Sequence, residues 1–181
     1  MKSQRGTTLL EVMVTIVILA IGLLGLAGLQ ARLQASEMDA YQRTQALLLL
    51  NDIASRISTN RANAVSYANG TTSVGAGMTC PTATGTALQR DQNQWCLALQ
   101  GAAETTGGTN VGAMIGGQGC VQDLGSNEYL ITIAWQGMTP LSAPPAGVAC
   151  GQDDYDGGTS CVDDLCRRVV TTVVRIGDLA S

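Results

Sequence analysis

The sequence predicts an α+β fold in which one long N-terminal helix, half membrane-spanning and half amphipathic, packs on an antiparallel β-sheet with disulfide-containing loops. Three observations carry that expectation. Residues 9–29 form an almost uncharged apolar run, and good helix formers continue well past it with no proline before Pro81. Two later segments are rich in β-branched and aromatic residues, and the part of the chain after residue 79 contains six cysteines.

The helix comes first in the chain. About twenty apolar residues at ~1.5 Å each cross a hydrocarbon layer of ~30 Å, and between Leu9 and Leu29 the only charged side chain is Glu11. A carboxylate in lipid costs roughly 3 kcal/mol even on insertion-based scales, so Glu11 calls for a partner or a function. The alternative is an acid at headgroup level that merely anchors the helix. From Gln30 to about Ala64 the chain is rich in Ala, Leu, Gln and Arg, which extends the helix from about Thr8 to about Ala64, roughly 85 Å. Leu49, Ile53 and Ile57, with Leu50 and Ala54 beside them, make an apolar stripe that needs a cover, and a sheet is the economical one. Gly22, Gly25 and Gly28 lie three apart in the apolar half and either ease close helix approach or are simply tolerated there.

Residues 69–119 shift to Gly, Thr, Ala and Asn and read as loop-rich, with 94–99 and 111–115 as weak strand candidates. Stronger strands are 128–136, where Tyr129, Ile131, Ile133 and Trp135 alternate with Leu130, Thr132 and Ala134, and 168–176, built of Val and Thr. Pro140, Pro144 and Pro145 impose a long excursion between them. The length predicts one globular domain beyond the apolar helix.

Ahead of the apolar run stands Met1-Lys2-Ser3-Gln4-Arg5-Gly6, short, basic and ending in glycine. A secretory signal is cut after its apolar region at small residues, and no such site follows here. This layout resembles the type IV prepilin signal. The resemblance implies cleavage between Gly6 and Thr7 by a prepilin peptidase, N-methylation of Thr7, and a role for Glu11 in assembly, where the matching acid pairs with the N-terminal amine of a neighbouring subunit. One departure is that the family's mature chain usually begins with Phe or Met, where this one has Thr7. The 22–30 run, Asn51-Asp52, Arg61-Ala62-Asn63, Ala134-Trp135-Gln136 and Arg167-Arg168-Val169-Val170 narrow the likeness to minor pilins of the PilV, or pilus modification protein, family. That implies a type IV pilin-like fold and a low-abundance tip-complex subunit that primes pilus assembly and supports twitching motility and adhesion. Its partners would be other minor and major pilins. A type II secretion pseudopilin, or a tip adhesin that binds a ligand through acidic disulfide-bonded loops, shares the same layout.

The organisation expected is then a leader at 1–6, a membrane and assembly helix at 7–29, and a periplasmic domain at 30–181, with the inner membrane as its first location and the pilus tip at the cell surface as its last. The basic leader sits on the cytoplasmic side by the positive-inside rule. Loss of the leader takes away Lys2, the sole lysine, and Arg5, so the formal charge goes from −4 to −6. An acidic, aromatic-poor chain lacks the clustered Lys and Arg on which phosphate binding rests, so no nucleic-acid partner is expected. Six cysteines in an exported part suit an oxidising compartment and its disulfide-forming machinery. They permit fifteen pairings; joining neighbours gives Cys80–Cys96, Cys120–Cys150 and Cys161–Cys166. No Cys-x2-Cys pair and no histidine occurs, which argues against zinc.

Residues 152–157 resemble the opening of a calcium loop, with Asp154, Asp156 and Asp163 at ligand-like spacing. Gln152 stands where the first acid belongs, and a solvated acidic turn is the other reading. Without histidine, and without lysine once the leader is gone, the usual general bases, the Ser-His pair and Schiff-base chemistry are missing, so no enzyme and no cofactor is expected.

Overall fold

The structure is a computed structural model that describes residues 8–102, 105–107, 109–110, 112 and 114–177. By its internal contacts the chain divides into two units, residues 1–38 and 39–181. In the first, the described residues are helical from Leu9 onward and every one carries an exposed or half-exposed side chain.

The second unit is built around the C-terminal part of α1 (Leu9–Thr59). Gln42, Ala46, Leu50, Ile53 and Ile57 recur at three- and four-residue spacing and are buried, while Leu49 and Ala54 flank them half-buried. The expected stripe is thus the buried face, about two turns longer at its start than the sequence suggested, since it begins at Gln42. The helix stops at Thr59 rather than near Ala64. Ser58 and Thr59 hydroxyls donate to the carbonyls of Ala54 and Ser55, and Asn63 Nδ2 donates to Asn60 Oδ1. Such short polar side chains offer the backbone alternatives to the helical ladder. The chain goes on as a 3-10 turn over Arg61–Tyr67, which returns Ala64 and Tyr67 to the core.

Four strands form the main sheet, in the order β1 (Val74–Gly75), β4 (Gln118–Gly125), β5 (Glu128–Gln136) and β6 (Arg167–Arg175), all antiparallel. A separate two-stranded ribbon pairs β2 (Thr105–Thr106) with β3 (Thr109–Asn110). The alternation read in 128–136 is realised in β5. Tyr129, Ile131, Ile133 and Trp135 face the core with α1, and Val170, Val174 and Ile176 extend that face from β6. Thr132 and Ala134, on the other face, are buried as well. The excursion between β5 and β6 covers them, with the Gly151 Cα region against the Ala134 side chain.

Two segments differ from the sequence reading. Residues 94–99 are not a strand but the end of α2 (Ala87–Leu99), opened by a capping box: Thr86 Oγ1 accepts from the Gln89 amide, and Gln89 Oε1 accepts from the Thr86 amide. Its buried residues Trp95, Cys96 and Leu99 follow helical spacing. Of 111–115, the described residues 112, 114 and 115 are not in a strand; residues 111 and 113 lie outside the described part. Strand β4 begins inside the stretch read as loop. It is held by its pairing with β5 across a two-residue turn, Ser126–Asn127, with both φ positive (52° and 60°), the geometry whose twist suits a hairpin. Gly119 in β4 is required by packing, since a Cβ there would lie 2.5 Å from the Trp95 ring.

Candidate functional site

The first candidate is the head of α1. Thr8 starts the helix, its carbonyl accepting from the amides of Glu11 (3.1 Å) and Val12 (3.2 Å), and its hydroxyl also accepting from the Glu11 amide (3.3 Å). Glu11 therefore lies in the first helical turn, where unpaired amides and the helix dipole favour a negative charge. Its side chain is exposed among exposed Leu9, Leu10, Val12 and Met13. Within α1 the best 18-residue window has a mean hydropathy of 2.7 and none of it is buried, so this helix is long and apolar enough to cross a membrane. Gly6 and Thr7 lie outside the described residues.

The C-terminal loops form the second candidate. The structure joins Cys80 to Cys96, Cys120 to Cys150 and Cys161 to Cys166, tying the loop before α2 to α2, β4 to the excursion, and the excursion's end to the start of β6. The organising side chain is Arg167, which is 3% exposed. It donates to the carbonyls of Val148 (2.6 Å) and Cys150 (3.0 Å) and pairs with Asp164 Oδ2 at 2.8 Å. Asp164 is spent on the fold at its other oxygen too, accepting from the Asp153 amide at 3.0 Å, while Asp156 Oδ1 accepts from the Asp164 amide at 2.9 Å. The proposed calcium ligands Asp154, Asp156 and Asp163 are exposed. Among the described residues, no three or more of His, Cys, Asp and Glu come together in a way that could hold a metal ion. Millimolar calcium is accordingly expected to give neither heat by calorimetry nor a shift in melting temperature; a saturable heat abolished by Asp156→Asn would restore the calcium loop.

Sequence reasoning missed a third cluster, between α1 and α2. Arg56 pairs with Asp52 and Asp91, each at 2.8 Å, and donates to Gln94 Oε1. The Tyr67 hydroxyl donates to Asp91 Oδ2 and accepts from Asn60 Nδ2. The capping-box signature of α2 was the available clue to the helix that brings Asp91 here. Burial, reinforced by the bond to Asp91, pushes the Tyr67 hydroxyl up to about 12 from 10.0. Below pH about 10 the phenol is protonated in both folded and unfolded chains and its contribution is complete. Above that the unfolded chain ionises first, so stability is lost as pH rises through about 12. Burial raises Tyr129 and Tyr155 as well, in the same direction. Urea unfolding should show a falling midpoint between pH about 10 and about 12 that is shallower in Tyr67→Phe; an equal slope in the variant would take Tyr67 out of the account.

Both this cluster and the C-terminal loops are polar clamps that tie elements of the fold together.

Comparison with known proteins bears on the first candidate. Residues 1–27 match the prokaryotic N-terminal methylation motif. No curated protein and no solved structure matches the chain. The matched segment contains Gly6, Thr7, Glu11 and most of the apolar run. It supports a type IV pilin-like or pseudopilin subunit, a structural rather than catalytic component, processed by a prepilin peptidase and assembled with other pilins. The apolar helix fits membrane anchoring followed by incorporation into a pilus.

Proposed function

We propose that this chain is a minor pilin of the type IV pilus, similar to the PilV family, and acts in a tip complex that primes assembly and so supports twitching motility and adhesion. The observation that carries this reading is Glu11, a lone charge in the first turn of an exposed apolar helix, directly behind Gly6-Thr7. An acid there is tolerable in lipid when a cation neutralises it, and the amine freed by cleavage before Thr7 of a neighbouring subunit is a cation at the right depth. On this reading residues 1–6 are removed, 7–29 cross the inner membrane, and 30–181 fold in the periplasm before the protein moves to the pilus tip. Three disulfides in the part beyond the span suit that compartment.

Mass spectrometry of the purified protein is expected to show a chain beginning at N-methylated Thr7. A chain beginning at Met1, or one cut after Leu29, would remove the prepilin reading. The narrower role is tested by deleting the gene: piliation should fall, and normal piliation in the deletion strain would favour the pseudopilin, which shares the same N-terminal motif. Secretion of type II substrates in that strain decides between them.

A further inference from the structure

Between the end of α1 and the start of α2 lies a cavity of about 250 Å³, lined by Ser55, Arg56, Thr59, Asn60, Ala87 and Asp91. Arg56, Asn60 and Asp91 are half-buried, while Ser55, Thr59 and Ala87 are exposed. Pockets for drug-sized ligands begin at roughly 300 Å³, so the occupant that suits this one is smaller, on the scale of a single sugar ring.

The clamp that joins the two helices leaves part of Arg56 unused. Its Nε donates to Asp52 and its Nη1 to both Asp91 and Gln94, which fixes the guanidinium along one edge. Among the described residues nothing accepts from Nη2, which keeps both of its hydrogens. An arginine whose rotamer is locked by its neighbours binds a ligand without first losing conformational freedom. Beside it, Ser55 Oγ has no partner among the described residues and can both donate and accept. Thr59 Oγ1 donates to the Ser55 carbonyl and still accepts, and Asn60 Nδ2 has spent one hydrogen on Tyr67 and holds another.

Charge and polarity narrow the occupant. Asp52 and Asp91 outnumber Arg56 by one charge, which disfavours an anion. Asp91 accepts on both oxygens, from Arg56 and from Tyr67, so neither is left bare for a cation. Ala87 is the one apolar lining residue, too little surface for a hydrophobic molecule. What remains is a set of donors and acceptors side by side, and the adjacent hydroxyls of a neutral polyol present the same mixture.

We infer that this cavity is a binding site for a neutral sugar, in which Arg56 Nη2 donates to one hydroxyl oxygen while Ser55 and Thr59 exchange hydrogen bonds with the next hydroxyl. The inference stands apart from the pilus reading, because the site lies wholly within residues 39–181. Roughly four net hydrogen bonds correspond to a dissociation constant on the order of 1 mM.

The test is saturation-transfer NMR on the full chain in a detergent without a sugar headgroup, with the methyl glycosides of glucose, galactose, mannose and N-acetylglucosamine as probes. At least one of them should give a saturable signal in the millimolar range. Ser55→Trp and Ala87→Trp fill the cavity from its α1 and α2 walls at exposed positions, and each should weaken that binding about tenfold or more with native circular dichroism. Thr59→Val keeps the shape, loses the acceptor and should weaken it roughly fivefold. Absence of a saturable signal with all four glycosides overturns the inference, as does binding that survives both tryptophan variants, which would place the sugar elsewhere on the chain.

Discussion

Cells carrying Glu11→Ala in place of the native chain are expected to keep the protein in the membrane at undiminished level while surface pili and the twitching zone fall toward those of a strain lacking the gene. The first half follows from solvation. Removing the one carboxylate from the otherwise uncharged 9–29 segment relieves a cost of roughly 3 kcal/mol, so insertion is at least as favourable as before. The second half follows from pairing. On the proposed reading, the same carboxylate neutralises a neighbour's amine in the assembled state, as the only acid in residues 9–29, and losing it would leave that cation alone in lipid. A penalty of about 3 kcal/mol per subunit is on the order of a hundredfold in an assembly equilibrium. Glu11→Gln keeps the size and polarity without the charge and should fail as well, which separates charge from shape. Sheared-pilus yield with a membrane blot provides the measurement, and full piliation with the alanine variant would show that Glu11 does not direct assembly.

Arg167→Met is expected to be the most damaging single change in the folded unit, by about 3–5 kcal/mol. It strips Asp164 of its cation inside the protein and leaves the carbonyls of Val148 and Cys150 without their donor. For a domain of this size each kcal/mol lowers the melting temperature by roughly 2–4 °C, so a fall on the order of 10 °C should appear in a thermal melt. Arg175→Met is the control. Its ion pair with Glu128 is at the surface, its side chain 74% exposed, and its loss should cost less than about 1 kcal/mol. Comparable losses in both variants would mean that the burial of Arg167 carries no special weight.

The parts of this fold that could be read in advance are those where period and burial coincide. Tyr129, Ile131, Ile133 and Trp135 alternate cleanly, and the Ile53–Ile57 spacing marks the buried face of α1. Helix α2 escaped because Trp95, Leu97 and Leu99 also alternate, and only Thr86 and Gln89 at capping-box spacing favour the helix. Strand β4 escaped for a different reason. Gln118, Gly119, Asp123 and Gly125 have little intrinsic preference for a strand, and β5 recruits them through its backbone. At the sites, Glu11 stands out in the sequence because its surroundings are uniform. Arg167 and Asp164 look like two more surface charges, since nothing local announces that the excursion closes over them.

The placement of Trp95 and Trp135 gives the folded unit an internal optical reporter. Both are 3% exposed in one core, and they are the only tryptophans in the chain. All four tyrosines, Tyr41, Tyr67, Tyr129 and Tyr155, also fall in residues 39–181, and the chain has no phenylalanine. Residues 1–38 therefore contribute nothing to tryptophan or tyrosine absorption and fluorescence. Tryptophan emission from the intact protein in detergent or bilayer reports unfolding of the 39–181 unit alone, with no contribution from the helix held in lipid, so its stability can be measured without cutting the two apart.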